Sequence, residues 1–171
     1  MGRIFFFMLW MLAVATTGNG QELSRKERQV QKEEEIRQLI ESQEFCFVAR
    51  SVTPMAGPRI DLTSRYDLAV DSTRVEAWLP FFGRAYRAEY GGGEGGIKFK
   101  EEAEEIDIQY NKRKKIYRIS MNVDTDKDNY RVLITAGLSG YADVNITSNN
   151  RQSVSYYGVI EPLEEEKELP E

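Results

Sequence analysis

The chain has 171 residues, with 23 Lys and Arg against 28 Asp and Glu, one Cys and no His. Without His, it cannot build Ser-His-Asp or Cys-His catalytic groups, or a zinc or haem site that uses His ligands. The net charge of -5 argues against nucleic acid as the main partner, because phosphate binding needs an excess of Lys and Arg. The length and the 41% hydrophobic content predict one folded domain that needs no disulfide or metal to hold its core.

Residues 1–20 have the pattern of a secretory signal peptide. Arg3 precedes an uncharged, largely apolar run over residues 4–15, which is shorter than the roughly 20 residues of a membrane-spanning helix. Ala13 and Ala15 form the small-x-small pattern of a signal peptidase site, so we predict cleavage near Ala15. No Cys directly follows the run, which argues against a lipoprotein. A periplasmic or secreted protein with no stable membrane span after cleavage is therefore expected; the alternative is an uncleaved anchor.

Residues 22–44 are predicted to form a helix. They are polar and rich in helix-forming residues, and they begin with Ser24 and Glu27 at the spacing of a capping box. The apolar residues cluster near the end of this segment, so its second half is expected to pack on the body of the protein. At the other end of the chain, residues 164–171 are acidic and are predicted to be a disordered tail.

Residues 45–163 show the two-residue period of β-strands. The clearest run is Tyr117, Ile119, Met121 and Val123, which alternate with polar residues and so place one face on a core. Similar runs are separated by turn signals without helical stretches, which predicts an antiparallel meander of nine or ten strands. The predicted fold class is mainly β: a small antiparallel β-barrel of lipocalin-like architecture with one N-terminal helix. A β-sandwich is the alternative.

Three motifs resemble functional sites but have structural interpretations. Residues 91–96 contain G-x-G-x-x-G, yet a strand pattern follows where a dinucleotide site needs a helix, so we expect a glycine loop that could gate a barrel rim. Asp124 and Asp128 bound a D-x-D-x-D sequence, but Asn129 replaces the Gly of a calcium loop, which favours a hairpin turn. Cys46 lies among apolar residues, as a buried structural Cys does. No metal site and no cofactor are predicted.

Residues 75–90 form the region that most suggests ligand binding. Pro80 and Gly83 interrupt what would otherwise be a regular strand, and five aromatic residues surround this bend. Such rings either fill the core or line the mouth of a pocket. Arg151 is a candidate partner for an anion. The predicted ligand-binding residues are Trp78, Phe81, Phe82, Tyr86, Tyr90, Arg151 and Tyr156.

Four segments resemble the signature blocks of domain-of-unknown-function family 4251. They are residues 79–86 (LPFFGRAY), 90–93 (YGGG), 96–99 (GIKF) and 148–158 (SNNRQSVSYYG). The resemblance extends over roughly residues 45–163. It implies a small exported protein of Bacteroides-type bacteria, which agrees with the signal segment. It implies neither a function nor any catalytic residues.

The sequence predicts a non-catalytic binding module for a small apolar ligand or an envelope component. A structural or interaction protein of the cell envelope without a small-molecule ligand is the alternative. An enzyme is not expected, because the acidic run over residues 101–105 lacks the apolar surroundings that would raise the pKa of a carboxyl group. A binder should enclose a cavity of at least about 300 Å³ lined by the aromatic residues, whereas a filled interior favours the structural alternative.

Overall fold

The computed structural model describes residues 24–86 and 96–163. The predictions for residues 1–20, 91–95 and 164–171 lie outside this part of the chain. They concern the signal peptide, most of the glycine loop and the acidic tail. No helix within the two described ranges is long and apolar enough to cross a membrane.

One helix and nine strands make up the described part of the chain. In chain order they are α1 (Arg25–Glu41), β1 (Glu44–Pro54), β2 (Ile60–Asp61), β3 (Asp67–Asp71), β4 (Arg74–Pro80), β5 (Gly96–Asn111), β6 (Ile116–Asp124), β7 (Asn129–Gly137), β8 (Tyr141–Ser148) and β9 (Val154–Glu161). The helix lies inside the predicted range 22–44. It begins at the capping box, in which the Ser24 hydroxyl accepts a hydrogen bond from the Glu27 amide and the Glu27 carboxylate accepts one from the Ser24 amide.

The strands form one antiparallel sheet that closes into a barrel. The order β1-β3-β4-β5-β6-β7-β8-β9 follows the chain, and β9 pairs back with β1, for example at Ile160 opposite Phe47. This closure gives eight barrel strands, and the short β2 pairs with Ser51 and Val52 of β1, beyond the part of β1 that pairs with β3. The predicted antiparallel barrel with an N-terminal helix is confirmed, and the sandwich alternative is wrong, because a sandwich keeps two separate sheets.

Side chains fill the interior of the barrel. Alternate residues of the strands point inward, and the largest of them, Phe45, Phe47, Tyr117 and Tyr156, are almost completely buried. A barrel of eight strands is just wide enough for such side chains to occupy its interior. The interior is therefore a packed hydrophobic core.

Helix α1 lies over the end of the barrel at which β1 begins, which we call the helix end. Ile36 and Ile40 are buried there against the core, and Ile36 packs close to Gly140 in the β7–β8 turn, where φ is +90°. The Tyr117 hydroxyl donates a 2.5 Å hydrogen bond to the Glu41 carboxylate, which ties β6 to the helix. The opposite end, at which β1 and β4 finish and β5 and β9 begin, is called the rim end below.

Candidate functional site

Residues 81–86 turn away from β4 and pair with the β8–β9 loop at the rim end. Ala85 forms an isolated β-bridge with Arg151, and the Tyr86 amide donates a 2.7 Å hydrogen bond to the Asn150 carbonyl oxygen. The Gln152 side-chain oxygen accepts a hydrogen bond from the amide of Arg84. Through these bonds, two segments far apart in the chain form one surface.

Arg151 and Tyr156 join this surface to β4 and β5 by side-chain hydrogen bonds. The Arg151 guanidinium donates a 2.7 Å hydrogen bond to the Gly96 carbonyl oxygen and lies 5.5 Å from the centre of the Phe81 ring. The Tyr156 hydroxyl donates a 2.8 Å hydrogen bond to the Pro80 carbonyl oxygen, and burial raises the pKa of this hydroxyl. Tyr156 is therefore a core residue. The guanidinium, predicted to pair with an anion, here joins β5 to the bend after β4.

Three of the predicted aromatic residues are exposed near the rim end. Trp78 is 53% exposed, Phe82 41% and Tyr86 67%, whereas Phe81 is half-buried against the core. Trp78 points outward from β4, because the side chains before and after it point into the barrel. These rings lie on the outside of the molecule and do not enclose an interior cavity. Tyr90, the remaining predicted aromatic residue, lies outside the described residues.

Sequence reasoning did not include Tyr66 in this group. Its ring meets that of Trp78 edge to face, with 6.0 Å between the ring centres, and the Lys98 ammonium lies 5.4 Å above the Trp78 ring. Both contacts depend on the register that places Trp78 between Asp67 and Lys98 of the neighbouring strands. Alternation along one strand carries no information about its neighbours, so the sequence held no direct signal for Tyr66.

Two depressions lie on the outer face of the barrel, with volumes of about 460 and 420 Å³. Polar and charged side chains line most of both, and Asn122 and Arg131 belong to each of them. None of the six described candidate residues lines either depression. Neither volume is the aromatic-lined interior cavity expected of a binder, and the filled interior favours the structural alternative.

The carboxylates of the acidic run lie in solvent. Glu101, Glu102, Glu104 and Glu105 are all exposed. In the two described ranges, no group of three or more Cys, Asp or Glu residues is placed to hold a metal ion. The arrangement of these residues suits a solvated surface better than a pair of acid and base groups in a cleft.

Asp128 is a buried carboxylate, and its contacts are those of a turn. It accepts a hydrogen bond from the amide of Asn129 at 2.9 Å and another from the hydroxyl of Ser148 at 2.5 Å. Thr125 closes the same turn by bonding to the Asp128 backbone. The sequence that resembles a calcium loop is thus the β6–β7 hairpin turn, and Asn150 joins it to the β8–β9 loop by donating to the Lys127 carbonyl oxygen.

Cys46 is buried on β1 with a free thiol. Burial is the main cause that raises the pKa of this thiol to about 11, and the negative charge of Asp67 is the second. A nucleophilic Cys needs a lowered pKa, because only the thiolate attacks. Cys46 is therefore a buried residue outside the central core cluster, with the charged groups of Asp67, Arg65 and Glu161 near its thiol.

Comparison with known proteins identifies the family. A family model described as a domain of unknown function, DUF4251, matches residues 27–160. The fold resembles the crystal structure, at 1.95 Å resolution, of a DUF4251 family protein from Bacteroides eggerthii DSM 20697, with a TM-score of 0.60, 18% identity, and coverage of 78% of this chain and 91% of that chain. At this identity the similarity shows a common fold alone. No curated protein matches the chain. Because the family model covers most of its length, the chain belongs to the DUF4251 family.

Proposed function

We propose that the protein is an exported, non-catalytic binding module that takes its partner at the rim end of the barrel. One observation carries this proposal. Six large apolar or aromatic side chains are exposed in the described part of the chain, and four of them, Met55, Trp78, Phe82 and Tyr86, lie at or near this end. Exposed apolar groups that cluster on one side of a protein are typical of interaction sites. A small apolar or envelope-derived ligand would contact these rings from outside.

The packed interior supports a ligand on the surface over one inside the barrel. It also favours a second function, that of an envelope protein that binds another protein and no small molecule. Both functions use the same rim, but they differ in the mass of what is bound.

Export is the remaining part of the proposal. N-terminal sequencing is expected to show that the mature protein begins near residue 16, and an intact Met1 would contradict cleavage.

Native mass spectrometry of the protein purified from its own cell envelope tests the proposal. The wild type should retain a bound mass, which a variant carrying Trp78→Ser, Phe82→Ser and Tyr86→Ser should lose. Tyr141→Ser is the matched control, since Tyr141 is 54% exposed but lies at the helix end. A retained mass of a few hundred daltons indicates a small ligand, and a mass in the range of proteins indicates the second function. Absence of any bound mass, or its loss from the control as well, would disprove binding at the rim.

A further inference from the structure

Strand β5 is longer than its neighbour on one side. It runs over Gly96–Asn111, but its last pair with β4 joins Arg74 to Glu102. The Ala103 amide still donates a 2.8 Å hydrogen bond to the Thr73 carbonyl oxygen; beyond it, among the described residues, β6 alone pairs with β5, as far as Asn111 opposite Ile116. Residues 104–111, which we call the β5 edge, therefore have a strand partner on one side only within the described ranges.

The inward side of the β5 edge leaves apolar surface uncovered. Ile106 and Ile108 point toward the core but are only half-buried, whereas Ile97 and Phe99 in the paired half of the same strand are buried. Helix α1 reaches the end of the β5 edge through the Arg37 guanidinium above the Tyr110 ring, and Ile106 and Ile108 are still only half-buried. A further strand beside β5 would cover both isoleucines.

The outward side of the β5 edge is acidic. Glu104, Glu105 and Asp107 are all exposed there, and the pairing with β6 shifts between Ala103 and Ile106, so Glu104 and Glu105 form a bulge. Asp124 lines the same depression as Glu104, and Arg131 and Arg118 also lie on this face, which leaves four negative charges against two positive charges. This side therefore attracts cationic side chains.

We propose that the β5 edge accepts an added β-strand from a basic peptide in which apolar and basic side chains alternate. Alternation places the apolar residues toward Ile106 and Ile108 and the basic residues toward the acidic side chains, while the backbone groups supply hydrogen bonds. A second copy of the β5 edge would oppose like charges and is disfavoured. Residues 164–171 of the chain itself are acidic and are disfavoured for the same reason.

Hydrogen exchange with synthetic peptides tests this proposal on the full mature protein. The probe is a peptide of about eight residues, the length of the β5 edge, that alternates Lys and Val. It should bind saturably and slow amide exchange over residues 104–111 by at least about tenfold. A peptide that alternates Glu and Val should not bind. A Lys-Val peptide with N-methyl groups on alternate amides keeps its charge but loses the hydrogen bonds, and should bind at least about tenfold more weakly.

A charge-reversal variant tests whether the peptide binds at the β5 edge or is attracted to the acidic protein in general. Asp107→Lys should weaken binding of the Lys-Val peptide about three- to tenfold, whereas Asp143→Lys, an identical change on the exposed face of β8, should leave it unchanged. Equal binding of the N-methylated peptide would mean that charge alone attracts the probe, and would overturn the proposal. Protection outside residues 104–111, or no binding of the Lys-Val peptide, would overturn it as well.

Discussion

Gly158 lies on β9 where this strand closes the barrel against β1. It pairs with Ala49, and a Cβ atom at this position would overlap the Val48 carbonyl oxygen and lie 2.9 Å from the Phe47 ring. Phe47 is fully buried, so its ring cannot move away without disturbing the packed core. The two strands can approach this closely only because residue 158 has no side chain.

The substitution Gly158→Ala is expected to lower the free energy of unfolding by about 1–3 kcal/mol, because overlap with a backbone oxygen forces β1 and β9 apart. Urea denaturation measures this change. Gly137→Ala on β7 is the control, since its added Cβ would come no closer than 3.5 Å to its neighbours, and its effect should stay within about 1 kcal/mol. Equal destabilisation by the two substitutions would contradict the close approach at Gly158.

Helix α1 contributes to the barrel through a small part of its surface. Most of its residues are exposed, and the two that are buried, Ile36 and Ile40, cover the helix end of the core. Ile40 is fully buried near the C-terminus of the helix, and Val30, in its first half, is 64% exposed. The second half of the helix therefore closes the barrel, while the first half lies in solvent.

Truncation of Ile40 and truncation of Val30 should distinguish the two halves of the helix. Ile40→Ala is expected to lower the free energy of unfolding by about 2–4 kcal/mol, because it removes buried methylene groups and leaves a cavity under the helix. Val30→Ala removes exposed atoms, and its effect should stay within about 0.5 kcal/mol. Thermal and urea denaturation of the two variants would show the difference. A small effect of Ile40→Ala would mean that the helix does not seal this end.

Burial of weak acids controls how the stability of the protein depends on pH. The chain contains no His, so no side chain with an ordinary pKa titrates at a pH between the range of the carboxylates and that of Cys. Burial raises the pKa of Cys46 to about 11 and that of Tyr117 to about 12, and the Glu41 carboxylate adds to the shift of Tyr117. Burial also raises the pKa of Tyr156. All three groups are neutral acids whose ionised forms the folded state disfavours.

The free energy of unfolding should therefore be nearly constant between about pH 6 and 8 and fall in alkali. A group whose pKa is raised in the folded state contributes its full stabilisation at pH values below its unfolded pKa, which is 9.0 for Cys and 10.0 for Tyr. This contribution is lost as the pH rises through the folded pKa, about 11 for Cys46 and about 12 for Tyr117. Urea denaturation over a pH series measures it. Tyr117→Phe should reduce the loss between pH 10 and 12. A steep change between pH 6 and 8 would contradict this assignment.

Much of the architecture could be predicted because it depends on short-range order in the sequence. The alternation from Tyr117 to Val123 indicated a strand with one buried face, and the pair Ser24 and Glu27 indicated where the helix begins. Neighbouring residues alone create these signals, since a strand exposes every second side chain and a capping box joins residues three apart. The barrel followed as a way to leave no unpaired edges, although the β5 edge shows that closure is incomplete in one place.

The sequence by itself determined the strands, the helix and the exclusion of chemistry that needs His, because composition and local periodicity suffice for each. Only the tertiary structure decided which aromatic residues face solvent. Tyr156 lies on the buried face of β9 and its hydroxyl reaches Pro80 across the rim end, whereas Tyr86 is exposed on a segment whose backbone bonds to Asn150. These partners lie far apart in the chain, and no local pattern states which of them will meet. The position of the candidate site is therefore a consequence of barrel closure.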